Sequence, residues 1–126
     1  SRMAAELAFS IAEPDSIVTV VHVVPREIGV LEYAAGADDP ATRLEIGHQI
    51  TGDVRALGES FGIATETEVR MGPAPEEAIL ETARRVRADL VVLGTSIRTA
   101  SQRLFLGPRV ERVLAACPCP VVVLNT

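Results

Sequence analysis

Residues 16–24 read SIVTVVHVV, a run dominated by β-branched residues that is apolar on both of its alternating faces. A strand with one face in water would alternate apolar and polar residues, so this run indicates a strand covered on both sides, as in a parallel sheet. Residues 65–70 alternate in strand fashion, residues 89–93 form a short apolar run that ends at Gly94, and residues 121–124 form a last strand. The sequence therefore predicts a sheet of parallel strands.

Helical periodicity fills the intervals between these strands. The second helix has Asp39 as its N-cap and Pro40 in its first turn, and it closes at Gly62. The last helix opens at Pro108. The residues predicted to face the core are Met3, Leu7 and Ile11 with Ala4 and Ala8 beside them in the first helix, Ile46, Ile50, Val54, Leu57 and Phe61 in the second, Ile79, Ala83 and Val86 in the third, and Val110, Val113 and Leu114 in the fourth.

The elements alternate in the order αβαβαβαβ, without internal repeats or linkers. Such alternation implies an α/β fold, in which helices cover both faces of an open parallel sheet in three layers with right-handed crossovers. A chain of 126 residues is about one domain's worth, so we expect a single domain over residues 1–126. Folds of this kind normally open with a strand, whereas this chain opens with a helix.

Composition excludes several function classes. All twelve basic residues are arginine, so the chain has no lysine for a Schiff base or for a G-x-x-x-x-G-K-[ST] phosphate loop. A net charge of −5 argues against broad nucleic-acid binding. The longest apolar stretch, residues 17–24, is too short to span a membrane, and no signal-like segment is present. We expect a cytoplasmic domain that forms part of a longer polypeptide.

The segment from Gly94 to Gly107 is the candidate binding loop. Ligands of open α/β sheets bind beyond the carboxyl ends of the strands, and this hydroxyl-rich segment leads into a helix N-terminus that favours anions. Between residues 94 and 112 four arginines (98, 103, 109 and 112) face one acid, Glu111, a local charge of +3. Two interpretations stay open here: an anion site, or a solvated loop whose arginines pair with acidic neighbours.

No other residues form a convincing catalytic centre. His22 lies within an apolar strand and is interpreted as a packed core histidine, and His48 as a helix-surface residue; neither has a nucleophile at a motif-like spacing. Cys117-Pro118-Cys119 could supply two metal ligands, but no second ligand pair exists, so structural thiols are favoured. The acidic pairs 38–39 and 76–77 are interpreted as helix-start acids. We therefore expect no enzyme activity and no metal.

Several segments together resemble a universal stress protein domain. They are Ser1-Arg2-Met3-Ala4-Ala5-Glu6-Leu7-Ala8, Val20-Val21-His22-Val23-Val24, Val69-Arg70-Met71-Gly72, Ala88-Asp89-Leu90-Val91-Val92-Leu93-Gly94 with the loop to Gly107, and Cys119-Pro120-Val121-Val122-Val123. The resemblance implies a five-stranded parallel sheet of order 3-2-1-4-5. It also implies a homodimer formed through the last strand, here Pro120 to Leu124. The family's first strand would precede Ser1, so a gap or a foreign strand is expected between residues 16–24 and 89–94.

Members of that family that bind ATP carry G-x2-G-x9-G-[ST], an Asp that ends the first strand, and a backbone contact near the position of Val23. Gly94 and Gly107 match the first and third glycines, whereas Ile97 and Pro108 replace the second glycine and the hydroxyl residue. The resemblance implies a nucleotide or anion site at Val23, Gly94, Thr95, Arg98, Arg103, Gly107 and Arg109. Because of the departures and the missing Asp, we expect ATP or another adenine nucleotide to bind weakly or not at all.

The stretch Ser101-Gln102-Arg103-Leu104-Phe105-Leu106-Gly107-Pro108 also resembles universal stress protein domains fused behind cation/proton antiporters. The leading hypothesis is a non-catalytic regulatory or sensory domain, which would be the cytoplasmic tail of such a transporter if it is fused to one. The alternatives are an ATP-binding universal stress protein with nucleotide-dependent signalling and a pure dimerisation module.

Overall fold

The structure is a computed structural model and describes residues 2–25, 39–72, 74–95, 98–100 and 103–126. Within these ranges the helices are Arg2–Ile11 (α1), Pro40–Ser60 (α2), Pro75–Arg85 (α3) and Pro108–Ala116 (α4). The strands are Ile17–Pro25 (β1), Ala64–Gly72 (β2), Val91–Thr95 (β3), Arg98–Ala100 (β4), Arg103–Phe105 (β5) and Val121–Asn125 (β6). None of these helices combines the length and the apolar character needed to cross a membrane.

The predicted order of helices and strands is confirmed, with one addition. The segment between Gly94 and Gly107 was predicted as a loop, but it contains β4 and β5, which pair as an antiparallel hairpin. Each of these strands has only three residues, so neither is long enough to show the alternation by which strands are recognised in a sequence.

The four longer strands form two parallel pairs. β1 pairs with β2 in a register that begins with Ile17 opposite Ala64 and ends with Pro25 opposite Gly72. β3 pairs with β6 in a register that begins with Val91 opposite Val121 and ends with Thr95 opposite Asn125. In the described part of the chain β1 and β3 do not pair with each other. The expected gap or foreign strand between residues 16–24 and 89–94 stays a prediction.

The chain divides into two compact units, residues 12–75 and residues 1–11 with 76–126. In the first of these, α2 has the predicted ends. The Asp39 carboxylate accepts a hydrogen bond from the Ala41 amide (3.1 Å), which satisfies one free donor of the first turn. At the other end Gly62 has a φ of 72°, and the Ile63 amide donates to the Gly58 carbonyl at 3.0 Å. This is a Schellman ending, which glycine favours because it lacks a Cβ.

The buried face of α2 differs from the prediction. Ile46 and Ile50 are 43% and 42% exposed, whereas the buried residues are Gly47, Thr51 and Gly58. α2 packs against β1 and β2, and a methyl group built on Gly47 would come within 2.9 Å of Val69 Cγ1 and 3.1 Å of His22 Cδ2. Small residues let the helix backbone approach the strands closely, so the face that packs is the small one and the large apolar residues flank it.

In the other unit α1 packs on β3. The predicted core positions Ala83 and Val113 are confirmed. The predictions for Met3, Ile11 and Leu114 are wrong, because these side chains are exposed. Ala4, which belongs to the predicted stripe of the first helix, is buried, and the buried residues that were not predicted to face the core are Phe9, Leu80 and Thr82.

Candidate functional site

The carboxyl end of β3 presents the first two predicted site residues. Gly94 is exposed and pairs with Leu124 of β6, and Thr95 is half-buried at the last position of the strand. The Thr95 carbonyl accepts a hydrogen bond from the Thr126 amide at 2.9 Å. Pairing with β6 therefore continues to the end of β3.

The hairpin after β3 carries the next two candidates. Arg98 is paired with Phe105, and Arg103 with Ala100, so the hairpin brings the two arginine positions close together. The second position of the glycine motif, Ile97, lies outside the described residues. The hairpin thus places two basic residues between the end of β3 and the start of α4.

The start of α4 is built by Gly107 and Pro108. Gly107, the N-cap, has φ 89° and ψ 157°, a conformation that is essentially restricted to glycine. It has no side chain to cap the helix, and Pro108 at the first helical position has no amide hydrogen. The amides of Arg109 and Val110 are therefore the remaining free donors of the first turn that an anion could use.

Two arginines of α4 are paired with the acidic start of α3. Arg112 Nε donates a hydrogen bond to Glu77 Oε1 at 2.8 Å, and Arg109 Nε lies 3.8 Å from Glu76 Oε2. The hydrogen bond from Arg112 holds the pKa of the Glu77 carboxyl below its usual value. The second of the two open interpretations, arginines paired with acidic neighbours, thus holds for Arg109 and Arg112.

These pairs change the local charge that the sequence suggested. The sequence count set four arginines against Glu111 alone, but α3 brings Glu76 and Glu77 to the arginines of α4. Adding these two carboxylates to the count lowers the local net charge from +3 to +1. The acidic pair was interpreted only as helix-start acids, because its arginine partners are more than thirty residues away in the chain (|i−j| = 35 for Glu77 and Arg112).

Val23, the remaining candidate, lies in the other unit. It is half-buried in β1, opposite Arg70 of β2. Its neighbour Val24 is buried, as expected of a strand that α2 covers.

Both histidines are where the sequence interpretation put them. His22 is half-buried in β1 close to Gly47 of α2, and burial lowers its pKa. An imidazole packed against a helix fits a core role. His48 is exposed on α2.

The two cysteines are free and lie close together. Their Sγ atoms are 3.6 Å apart, and both residues are half-buried. Burial, followed by the hydrogen bond with Cys117 and the charge of Asp89, raises the pKa of Cys119 to about 11. Within the described ranges no cluster of three or more histidine, cysteine, aspartate or glutamate residues could hold a metal ion.

Comparisons with known proteins agree with this fold. Universal stress protein MJ0531 of Methanocaldococcus jannaschii is 35% identical over 125 residues, 97% of this chain and 73% of that protein. The chain spans 58% or less of the length of the other curated relatives that it matches.

Among solved structures, universal stress protein UspA from Lactobacillus plantarum superposes with a TM-score of 0.75 at 19% identity, over 98% of this chain and 88% of that one. A universal stress protein family protein from Arabidopsis thaliana, whose crystal structure has AMP bound, superposes with a TM-score of 0.66 at 18% identity, over 98% and 76%. The predicted α/β class with an open parallel sheet is confirmed by these likenesses. A sequence model of the universal stress protein family matches residues 1–125, and this chain therefore belongs to that family.

Proposed function

We propose that this family member is a non-catalytic regulatory or sensory domain that binds ATP weakly or not at all. The observation that carries the proposal is the pairing of Arg109 and Arg112 with Glu76 and Glu77. The carboxylates offset part of the positive charge of the two guanidinium groups, so these arginines attract a phosphate less strongly. The nearby carboxylates also repel a phosphate group, which carries their own sign of charge.

The start of α4 weakens a phosphate site further. Pro108 removes one amide donor from the first turn, where a phosphate would sit. Ile97 has a branched side chain where glycine would allow close approach of the backbone. Each lost hydrogen bond to a charged ligand group is worth roughly 1.5–3 kcal/mol. Two such losses lower affinity by about a hundredfold or more, at 1.4 kcal/mol per tenfold.

Isothermal titration with Mg-ATP tests this proposal. We expect no low-micromolar binding by the natural chain. The double variant Ile97→Gly with Pro108→Ser restores the family pattern, and we expect it to bind at least about tenfold more tightly, because an amide donor returns. Pro14→Ser, an exposed proline in the turn before β1, is the matched control and should bind as the natural chain does. A low-micromolar dissociation constant for the natural chain would show the proposal wrong.

The alternative is an adenine-nucleotide-binding domain with nucleotide-dependent signalling. The AMP bound to the Arabidopsis thaliana family member is the observation in its favour. In this alternative Gly94, Thr95 and Gly107 would approach the phosphates, Val23 would contact the nucleotide through its backbone, and Arg98, Arg103 and Arg109 would supply charge. The titration above separates the two functions, and including AMP as a second ligand extends it to nucleotides without a triphosphate.

We also propose a homodimer that forms through β6. In the described part of the sheet β6 pairs only with β3, so along residues 121–124 no second strand pairs with its other edge among the described residues. Unpaired amides and carbonyls at such an edge invite a second chain, and a two-fold copy would satisfy them.

Replacing Val122 with lysine should shift the protein towards monomer in sedimentation equilibrium, because it places a charge in the proposed interface. Val122→Thr keeps the branched shape without the charge and should remain a dimer. Circular dichroism establishes that both variants are folded. A folded Val122→Lys variant that is still dimeric would place the interface elsewhere.

The proposal places the domain in the cytoplasm. The resemblance of residues 101–108 to domains fused behind cation/proton antiporters supports this location, either as a separate protein or as the cytoplasmic part of such a transporter. The reading frame upstream of Ser1 distinguishes these two arrangements.

A further inference from the structure

The cysteine pair of the α4–β6 connection, Cys117 and Cys119, is held from both sides. Cys117 caps the end of α4, where its amide donates to the Val113 carbonyl at 2.8 Å. On the other side the Pro120 carbonyl accepts a hydrogen bond from the Val91 amide of β3 at 3.0 Å. Pro118 between the cysteines fixes one further backbone angle. The backbone on both sides of the cysteine pair is therefore held by helix, sheet and proline.

The spacing of the sulfur atoms suits a shared metal ion better than a disulfide. The Sγ atoms are 3.6 Å apart, whereas a disulfide requires about 2.05 Å. To form a disulfide, the two Sγ atoms would have to approach each other by about 1.6 Å, although only Pro118 separates the two cysteines. Two thiolates at about 2.3 Å from a tetrahedral zinc ion lie roughly 3.8 Å apart, which is within about 0.2 Å of the present spacing.

One carboxylate, that of Asp89, acts on the pair. The Asp89 carboxylate is near enough to act electrostatically on Cys119, and its negative charge favours a bound cation. With two protein ligands, a tetrahedral ion would keep two positions open for water or for an added ligand. Such an open site differs from the closed four-ligand sites that only stabilise a fold.

We propose that Cys117 and Cys119 together form a two-thiolate site for a thiophilic divalent cation of the Zn²⁺ or Cd²⁺ kind. On binding, both thiols lose their protons to the solvent and two metal–sulfur bonds form, so no oxidant or reductant takes part. The site is separate from the segment between Gly94 and Gly107, and it does not depend on nucleotide binding.

Cadmium titration of the reduced protein tests the site, since each cadmium–thiolate bond contributes to an ultraviolet charge-transfer band. We expect one equivalent of Cd²⁺ to give the band of two thiolates, and Zn²⁺ to displace it. Cys117→Ser or Cys119→Ser should halve the band. Either change should weaken binding by more than the roughly 10–100-fold that follows loss of a residue that only hydrogen-bonds to a metal ligand. The matched control His48→Asn removes the exposed histidine of α2 and should leave the titration unchanged.

Two results would overturn the proposal. One is a natural chain that gives no charge-transfer band at stoichiometric Cd²⁺. The other is a band of equal strength in the variant with both cysteines replaced by serine. Circular dichroism of the serine variants, recorded without metal, ensures that a lost band reports lost ligands in a folded protein.

Discussion

Replacing Leu80 with alanine should lower the free energy of unfolding by about 2–5 kcal/mol, as large-to-small changes at fully buried positions do. Leu80 lies in α3 and is 0% exposed. Truncation removes buried methyl groups and leaves a cavity that close-packed surroundings fill only in part. For a chain of this length the same loss corresponds to a melting temperature lower by roughly 8–20 °C.

Urea unfolding followed by circular dichroism measures this effect. Leu114→Ala in α4 is the matched control, because the same atoms are removed from a leucine that is 43% exposed. We expect the control to cost less than half as much as Leu80→Ala. Leu80→Met, which keeps the volume, should cost less than about 1.5 kcal/mol. Equal losses for Leu80→Ala and Leu114→Ala would contradict the burial assigned to these two residues.

Much of the fold follows from local sequence signals. The apolar run of residues 16–24 requires cover on both faces, and it forms the paired strand β1. Asp39, Gly62 and Pro108 mark helix ends through properties of single residues: a side-chain acceptor, tolerance of positive φ, and a missing amide hydrogen. Such signals depend on near neighbours in the chain, so they could be recognised without knowing the tertiary structure.

Some features that sequence analysis missed depend on partners far away in the chain. Glu77 meets Arg112 across 35 positions, and no spacing rule connects an acidic pair on one helix with arginines on another. The local charge of the candidate site was therefore overestimated. The expected weakness of nucleotide binding, by contrast, was argued from Ile97 and Pro108, and the ion pairs now add an independent reason for it.

The buried face of α2 shows why hydrophobicity alone predicted the wrong side of a helix. Ile46 and Ile50 formed the obvious apolar stripe, yet Gly47, Thr51 and Gly58 are buried. Periodicity measures how apolar a face is, but the distance between a helix and a sheet depends on how small its side chains are. Glycine is not very hydrophobic, but it allows a helix to pack closely. The apolar pattern therefore predicted a buried face that is displaced by one residue along the chain from the observed one.

This close approach leads to the second large effect, at Gly47. In a helix interior, alanine is favoured over glycine by about 0.5–1 kcal/mol, because glycine loses more backbone entropy on folding. At Gly47 an added Cβ would lie 2.9 Å from Val69 Cγ1, 3.1 Å from His22 Cδ2 and 3.3 Å from Val24 Cγ2. Contacts on several sides leave no direction in which the methyl group can move away, and valines in strands have few alternative rotamers.

Gly52, in the same helix, provides the matched comparison, because a Cβ added there meets nothing within 4 Å. Gly52→Ala should therefore raise the free energy of unfolding by about 0.5–1 kcal/mol. Gly47→Ala has the same helix-propensity gain but must overpack the contact with β1 and β2, which costs about 1–3 kcal/mol. We expect its unfolding free energy to lie below that of Gly52→Ala by about that overpacking cost. If urea unfolding found both variants equally stabilised, α2 could not approach the strands as closely as Gly47 implies, and its packing face would have to be the isoleucine stripe.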